Sequence, residues 1–122
     1  MLITIDQYPP STNVIWRVAR NRIIKSAAYR KWLADMAILI RGQTKDKIIG
    51  AYGLEILVKR KDRRRRDIDN FIKPISDLLV SAGVVEDDSL CDVVTAMWDG
   101  QGSSITIILI KNNLPSEQEQ WT

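Results

Sequence analysis

From residue 63 the chain reads Arg-Arg-Arg-Arg-Asp-Ile-Asp-Asn-Phe-Ile-Lys. This stretch breaks the apolar patterning on either side of it, so it must join a strand before it to a helix after it. Where residues 66–69 are extended, Asp67 and Asp69 point to the same side of the backbone, about 6.5–7 Å apart along it. Two carboxylates that close repel each other unless something positive lies between them. Hard oxygen ligands of this kind suit Mg²⁺, and the arginines before them offer planar forks that match phosphate geometry. A hard metal beside a phosphate-binding strip points to chemistry on a phosphodiester.

What the chain lacks narrows the chemistry further. It has no histidine and one cysteine, Cys91, among 122 residues. That removes histidine-dependent triads, His/Cys zinc sites and any internal disulfide. Carboxylates, lysine, hydroxyls and a bound metal remain as the catalytic repertoire.

The net charge of +3 conceals a concentration of charge. Residues 59–66 hold seven basic side chains and one acidic one, leaving eleven basic against fourteen acidic elsewhere. Basicity focused in this way is the electrostatic footprint of a nucleic-acid partner. The start, Met1 to Asp6, lacks a basic lead and a long apolar run, so no secretory leader is expected. The longest apolar run, near 105–110, is too short to span a membrane. A soluble cytoplasmic protein is expected.

Residues 1–7 alternate as a first strand. Pro9, Pro10 and Asn13 make the next stretch a loop. Residues 14–25 read as a basic loop in which Trp16 plugs the edge of the core. Ser26 is a candidate N-cap, and Tyr29, Trp32, Leu33, Met36, Ala37 and Ile40 recur at helical spacing over 27–41, with Gly42 as the stop. Trp32 and Met36 are thereby core residues. A second strand spans about 51–60.

Asp69 or Asn70 then caps a second helix that buries Phe71, Ile75, Leu78, Leu79 and Ala82 and ends at Gly83. Pro74 favours a tight turn over 70–73, with the proline at the first helical position. A third strand near 91–98 and a fourth at 103–111 flank Asp99-Gly100-Gln101-Gly102, a hairpin signal. The fourth strand, apolar on both faces, should be central and covered on both sides. The expected fold is a single α/β (α+β) domain over 1–114: a four-stranded mixed sheet and two helices in the order β-α-β-α-β-β. A polar, flexible tail follows at 115–122.

The acidic cluster at 86–88 supplies a third candidate ligand. A helix over 70–82 carries the chain about 20 Å away, and six extended residues span about 20 Å back. Asp88 therefore reaches Asp67 and Asp69 if 83–88 runs straight back along the helix. The three aspartates would hold Mg²⁺ and activate water, while Lys73 would bind the scissile phosphate or stabilise its transition state. The bland reading makes Asp69 a cap, the arginines partners of nearby acids and Asp87/Asp88 a surface turn.

The segment R-R-R-R-D-I-D-N-F-I-K, followed by D-L-L and A-G-V-V-E-D-D-S, resembles the RusA family of Holliday-junction resolvases, and P-P-S-T-N resembles that family's amino-terminal loop. The likeness covers about residues 1–112. It implies a homodimeric, Mg²⁺-dependent endonuclease, with Mn²⁺ able to substitute, that nicks four-way DNA junctions in symmetric pairs during recombination and repair. By position the family's metal ligands fall on Asp67, Asp69 and Asp88, and its essential lysine on Lys73. Its DNA-contacting segments fall on Ser11, Thr12, Asn13 and Val14, and on Arg63, Arg64, Arg65, Arg66 and Asn70. No membrane and no nucleotide cofactor are implied. Two symmetric cuts also need two sites, and one chain offers one carboxylate cluster. The rivals are a non-cleaving junction-binding protein and, less well matched by the long basic strip, a DxD phosphotransferase or phosphatase acting on a small molecule.

Overall fold

The computed structural model describes residues 1–11, 16–19 and 22–112, with the backbone alone for residues 16–19, 22 and 23. The main sheet has four strands: β1 (Leu2–Ile5), β4 (Tyr52–Arg60), β5 (Cys91–Gln101) and β6 (Ile105–Lys111). Their spatial order is β1-β6-β4-β5, with β6 antiparallel to β1 and β4, and β5 parallel to β4. This is the expected mixed sheet, and its two helices are α1 (Ala27–Gln43) and α2 (Ile72–Ser81). The expected tail at 115–122 lies outside the described residues.

Both helices pack on one face of the sheet. Alternation along the strands sends Ile3, Ile5, Leu54, Ile56, Val58, Ile105, Ile107 and Leu109 into that layer, all at 3% exposure or less. Helix α1 meets them with Tyr29, Trp32, Leu33, Met36 and Ile40, and α2 with Ile75, Leu78 and Leu79. Ser26 caps α1 as expected, its hydroxyl accepting from the Tyr29 N–H at 3.2 Å. Each fully enclosed Ile or Leu here contributes about 1.5–3 kcal/mol.

Three expectations change. Residues 14–25 include a two-stranded antiparallel ribbon, β2 (Trp16–Ala19) and β3 (Arg22–Lys25), with Trp16 opposite Lys25. The β-branched Val18, Ile23 and Ile24 favour strand more than their basic neighbours suggest. The Trp16 side chain lies outside the described residues.

The signal at residues 99–102 does not make a hairpin between adjacent strands. The chain leaves β5 and passes over the end of β4, where Gly102 N–H donates to Arg60 O at 3.2 Å and Lys59 N–H to Ser104 O at 3.1 Å. It then returns as β6 on the other side of β4. Gly102 has φ 145°, and a Cβ there would stand 2.8 Å from Lys59 Cδ, so this overpass requires glycine.

Finally, β6 is central but covered on one side alone. The opposite face of the sheet presents Leu2 (66% exposed), Val93 (58%), Met97 (46%) and Ile110 (63%), with Ile108 half-buried among them.

Candidate active site

Beyond β4 the chain enters the basic loop, which Asp62 organises. Its carboxylate grips the Arg66 guanidinium at 2.7 and 3.2 Å and accepts the Arg64 backbone N–H at 3.0 Å. The Arg66 fork holds the Asp62 carboxyl below its usual range, and the Arg64 N–H adds to this. With Arg66 tied back, Arg63, Arg64 and Arg65 project into solvent. The Arg66 guanidinium and the Lys61 ammonium also lie 5.8 and 5.9 Å from the Tyr8 ring centroid. Tyr8 meets Phe71 edge-on, and Phe71 in turn meets Trp98. An aromatic row thus fastens the amino-terminal segment and the basic loop to β5.

A cleft of about 710 Å³ opens here. It gathers Ser11, Arg64, Arg65, Arg66, Asp67 and Asn70 along with Tyr8, Pro9, Pro10 and Lys61. Arg63 lies on the same loop but not on the cleft wall. Thr12, Asn13 and Val14 lie outside the described residues.

The chain then tightens into a 3₁₀ turn, Ile68–Phe71, that leads straight into α2. Neither Asp69 nor Asn70 caps the helix through its side chain: Asp69 sits inside the turn, and Phe71 holds the N-cap position. Pro74 falls at the third helical residue. There its missing donor costs nothing, because first-turn N–H groups have no intrahelical acceptor. Among the described residues, the carboxylates of Asp67 and Asp69 take part in no hydrogen bond or ion pair, and both residues are exposed.

The return from α2 reaches the expected end point, although the chain bends at Val84 and Glu86 and does not run straight. Gly83, at φ 74°, ends the helix, and Val84 N–H bonds back to Leu79 O at 3.0 Å. Val84 and Val85 are buried, and Ile48 N–H bonds Val84 O at 2.8 Å. This segment delivers Asp88 to the first turn of α2, where its Oδ2 lies 3.2 Å from the Lys73 ammonium. Asp69, Lys73 and Asp88 line a second cleft of about 450 Å³, floored by Ile72, Cys91 and Val94.

The structure therefore brings Asp69, Lys73 and Asp88 together and places Asp67 on the wall of the adjoining arginine cleft. Among the described residues no three Asp, Glu, Cys or His side chains are gathered closely enough to form a complete ligand set. The donor chemistry nonetheless fits a hard divalent ion, since Mg²⁺ is commonly bound through one or two carboxylates with water completing its shell.

Sequence reasoning passed over two participants. Asp77 lies 2.9 Å from Lys73 and 2.5 Å from the Tyr29 hydroxyl. With Asp88, it raises the Lys73 ammonium above the ordinary lysine range, Asp77 being the larger cause. Its position four residues after Lys73 was the available signal. Asp62 was counted only as a charge within the basic run, although it orders that loop.

Comparison with known proteins identifies the family. The family model for endodeoxyribonuclease RusA matches residues 7–110. A crossover junction endodeoxyribonuclease of Enterobacteria phage HK97 is 34% identical over 86 residues, covering 70% of this chain and 72% of its own. One from Aquifex aeolicus (strain VF5) is 31% identical over 104 residues, covering 84% and 82%. One from Enterobacteria phage 82 is 36% identical over 88 residues, covering 67% and 69%. The arginine loop, the Asp-x-Asp-Asn-x-x-Lys turn and the returning Asp88 all fall within the matched span: the chain belongs to the RusA family of endodeoxyribonucleases.

Proposed function

We propose that this protein resolves four-way (Holliday) DNA junctions by paired, symmetric phosphodiester hydrolysis, dependent on Mg²⁺ or Mn²⁺, as a homodimer. The observation that carries the reading is the meeting of Asp69, Lys73 and Asp88 in one cleft beside a loop of outward-facing arginines. Phosphodiester hydrolysis needs water directed at phosphorus and positive charge where the non-bridging oxygens gain negative charge. Arg63, Arg64 and Arg65 would bind flanking phosphates and set the register of the strand. The Lys73 ammonium is positioned to face the charge growing on the scissile phosphate. Asp69 and Asp88 would hold the ion, and Asp67, two residues before Asp69 on the wall of the arginine cleft, would be the third carboxylate available to it. When bound, that ion supplies an activated water and charge neutralisation.

The uncovered sheet face supports the dimer. Leu2, Val93, Met97 and Ile110 form an apolar surface of the kind that marks an association site. A second copy related by a two-fold axis would cover it and supply the second active site that symmetric cutting needs.

The test is incubation with a synthetic four-way junction, with and without Mg²⁺, comparing the native protein with Asp69→Asn. Paired nicks that require the metal and fall roughly a hundredfold or more in the variant, with junction binding retained, are expected. Binding without metal-dependent nicking would instead assign the chain to a non-cleaving junction-binding role.

A further inference from the structure

Lys73 stands between two carboxylates of unlike character. Asp88, 3.2 Å away on the returning chain, has a side chain 40% exposed. Asp77, 2.9 Å away on the same helix, has a side chain only 10% exposed. Its second oxygen accepts the hydroxyl of Tyr29 at 2.5 Å. Tyr29 is fully buried in α1 and stacks on Trp32 with ring centroids 6.0 Å apart. The Asp77 carboxylate is therefore held by a rigid part of the core.

Helical spacing alone does not account for this arrangement. A lysine placed four residues before an acid is the weaker orientation of a helical ion pair. The Tyr29 hydroxyl restricts the acid and concentrates its free oxygen on Lys73, in a charge-assisted geometry. One ammonium then has two anionic partners and three donors with which to serve them.

We propose that Asp77, oriented by Tyr29, is a positioning residue that keeps the Lys73 ammonium beside the cleft while releasing Asp88 to bind a divalent cation. Without Asp77, Lys73 has Asp88 as its neighbouring carboxylate, and an incoming cation must displace it into solvent. With Asp77 present, displacement leaves the ammonium paired at the edge of the site, next to where the scissile phosphate must lie. The inference rests on the metal-dependent reading above and assigns Asp77 no contact with substrate. The bland alternative is that Asp77 only satisfies the buried Tyr29 hydroxyl and staples α1 to α2. In that case the charge on Asp77 has no bearing on cation binding that depends on Lys73.

The two accounts separate in a double-mutant cycle on the full-length chain, with Mn²⁺ as the probe and its affinity read by electron paramagnetic resonance. Asp77→Asn preserves an acceptor for Tyr29 and removes the charge. It should weaken Mn²⁺ binding about tenfold when Lys73 is present, and less than about twofold in a Lys73→Met background, where no ammonium competes. Asp77→Glu should recover Mn²⁺ affinity to within about threefold of the native value. Equal losses in the two backgrounds, or no loss in either, overturn the positioning role and leave the resolvase reading standing. A native protein that neither binds Mn²⁺ nor nicks a junction overturns both.

Discussion

Lys73 Nζ and Asp88 Oδ2, fifteen residues apart in the chain, meet at 3.2 Å. The contact closes a circuit: helix α2 leads away from the site, and the segment through Val84 and Val85 leads back. Of the two partners, Lys73 is the one expected to act on charge that appears during reaction. Lys73→Met should lower turnover by roughly 10²–10³-fold, while the salt dependence of junction binding flattens by no more than about 0.9 in log–log slope. Single-turnover nicking and filter binding at several salt concentrations check both expectations.

The basic loop allows a paired prediction of opposite sign. Arg65 is exposed, and Arg66 is held by Asp62 at 2.7 Å. Arg65→Ala should weaken junction binding and flatten the salt slope by about 0.9. Asp62→Ala should free Arg66 and steepen the slope by up to the same amount. Below about pH 4 the native protein should drift towards the Asp62→Ala behaviour. The Asp62 pKa is depressed in the fold, so its hold on the loop is present above the unfolded value and is lost as pH falls through the folded one.

Tyr52 is fully buried, and among the described residues its hydroxyl has no hydrogen-bond partner. Tyr52→Phe removes a desolvated polar atom and should leave stability unchanged or raise it by up to about 1 kcal/mol. Burial also pushes the Tyr52 hydroxyl up to about 12, with Cys91 and the nearby aspartates adding to the effect. The unfolded chain ionises this group first, so the native protein should lose stability between about pH 10 and pH 12. Tyr52→Phe should lose less over that interval. Thermal melts at neutral and alkaline pH provide the measurement.

The exposed sheet face predicts how the proposed dimer behaves. Ile110→Asp, at a position 63% exposed in the single chain, should barely alter folding of the monomer. It should shift sedimentation from dimer to monomer and convert paired nicks to single, uncoordinated ones. A dimer that persists in this variant would place the two-fold contact elsewhere.

Much of this was legible from residue order. Both helices and the four main strands announced themselves through apolar spacing, and the Asp88 return followed from counting residues against helix rise. The partners of β5 did not. Asp99-Gly100-Gln101-Gly102 reports that the chain reverses, but whether the reversal is tight or straddles another strand depends on Arg60 and Lys59, forty residues earlier, taking up its N–H and C=O groups. The β2–β3 ribbon was obscured because charged neighbours diluted a short β-branched signal. Asp77 offered only its spacing of four from Lys73, which many helical acid–base pairs share. Its meaning comes from Tyr29, forty-eight residues away, and no local pattern connects the two.

The passage of residues 102–104 over the end of β4 also bears on how the molecule assembles. Because β4 lies between β5 and β6, those two strands cannot zip together from their connecting turn as neighbouring strands do. Each must find an edge of β4 separately, so the sheet grows through contacts distant along the chain, and that raises the entropy cost of the nucleus. Refolding should be slow for a domain of this size, with the closing of the strand crossing among its last events.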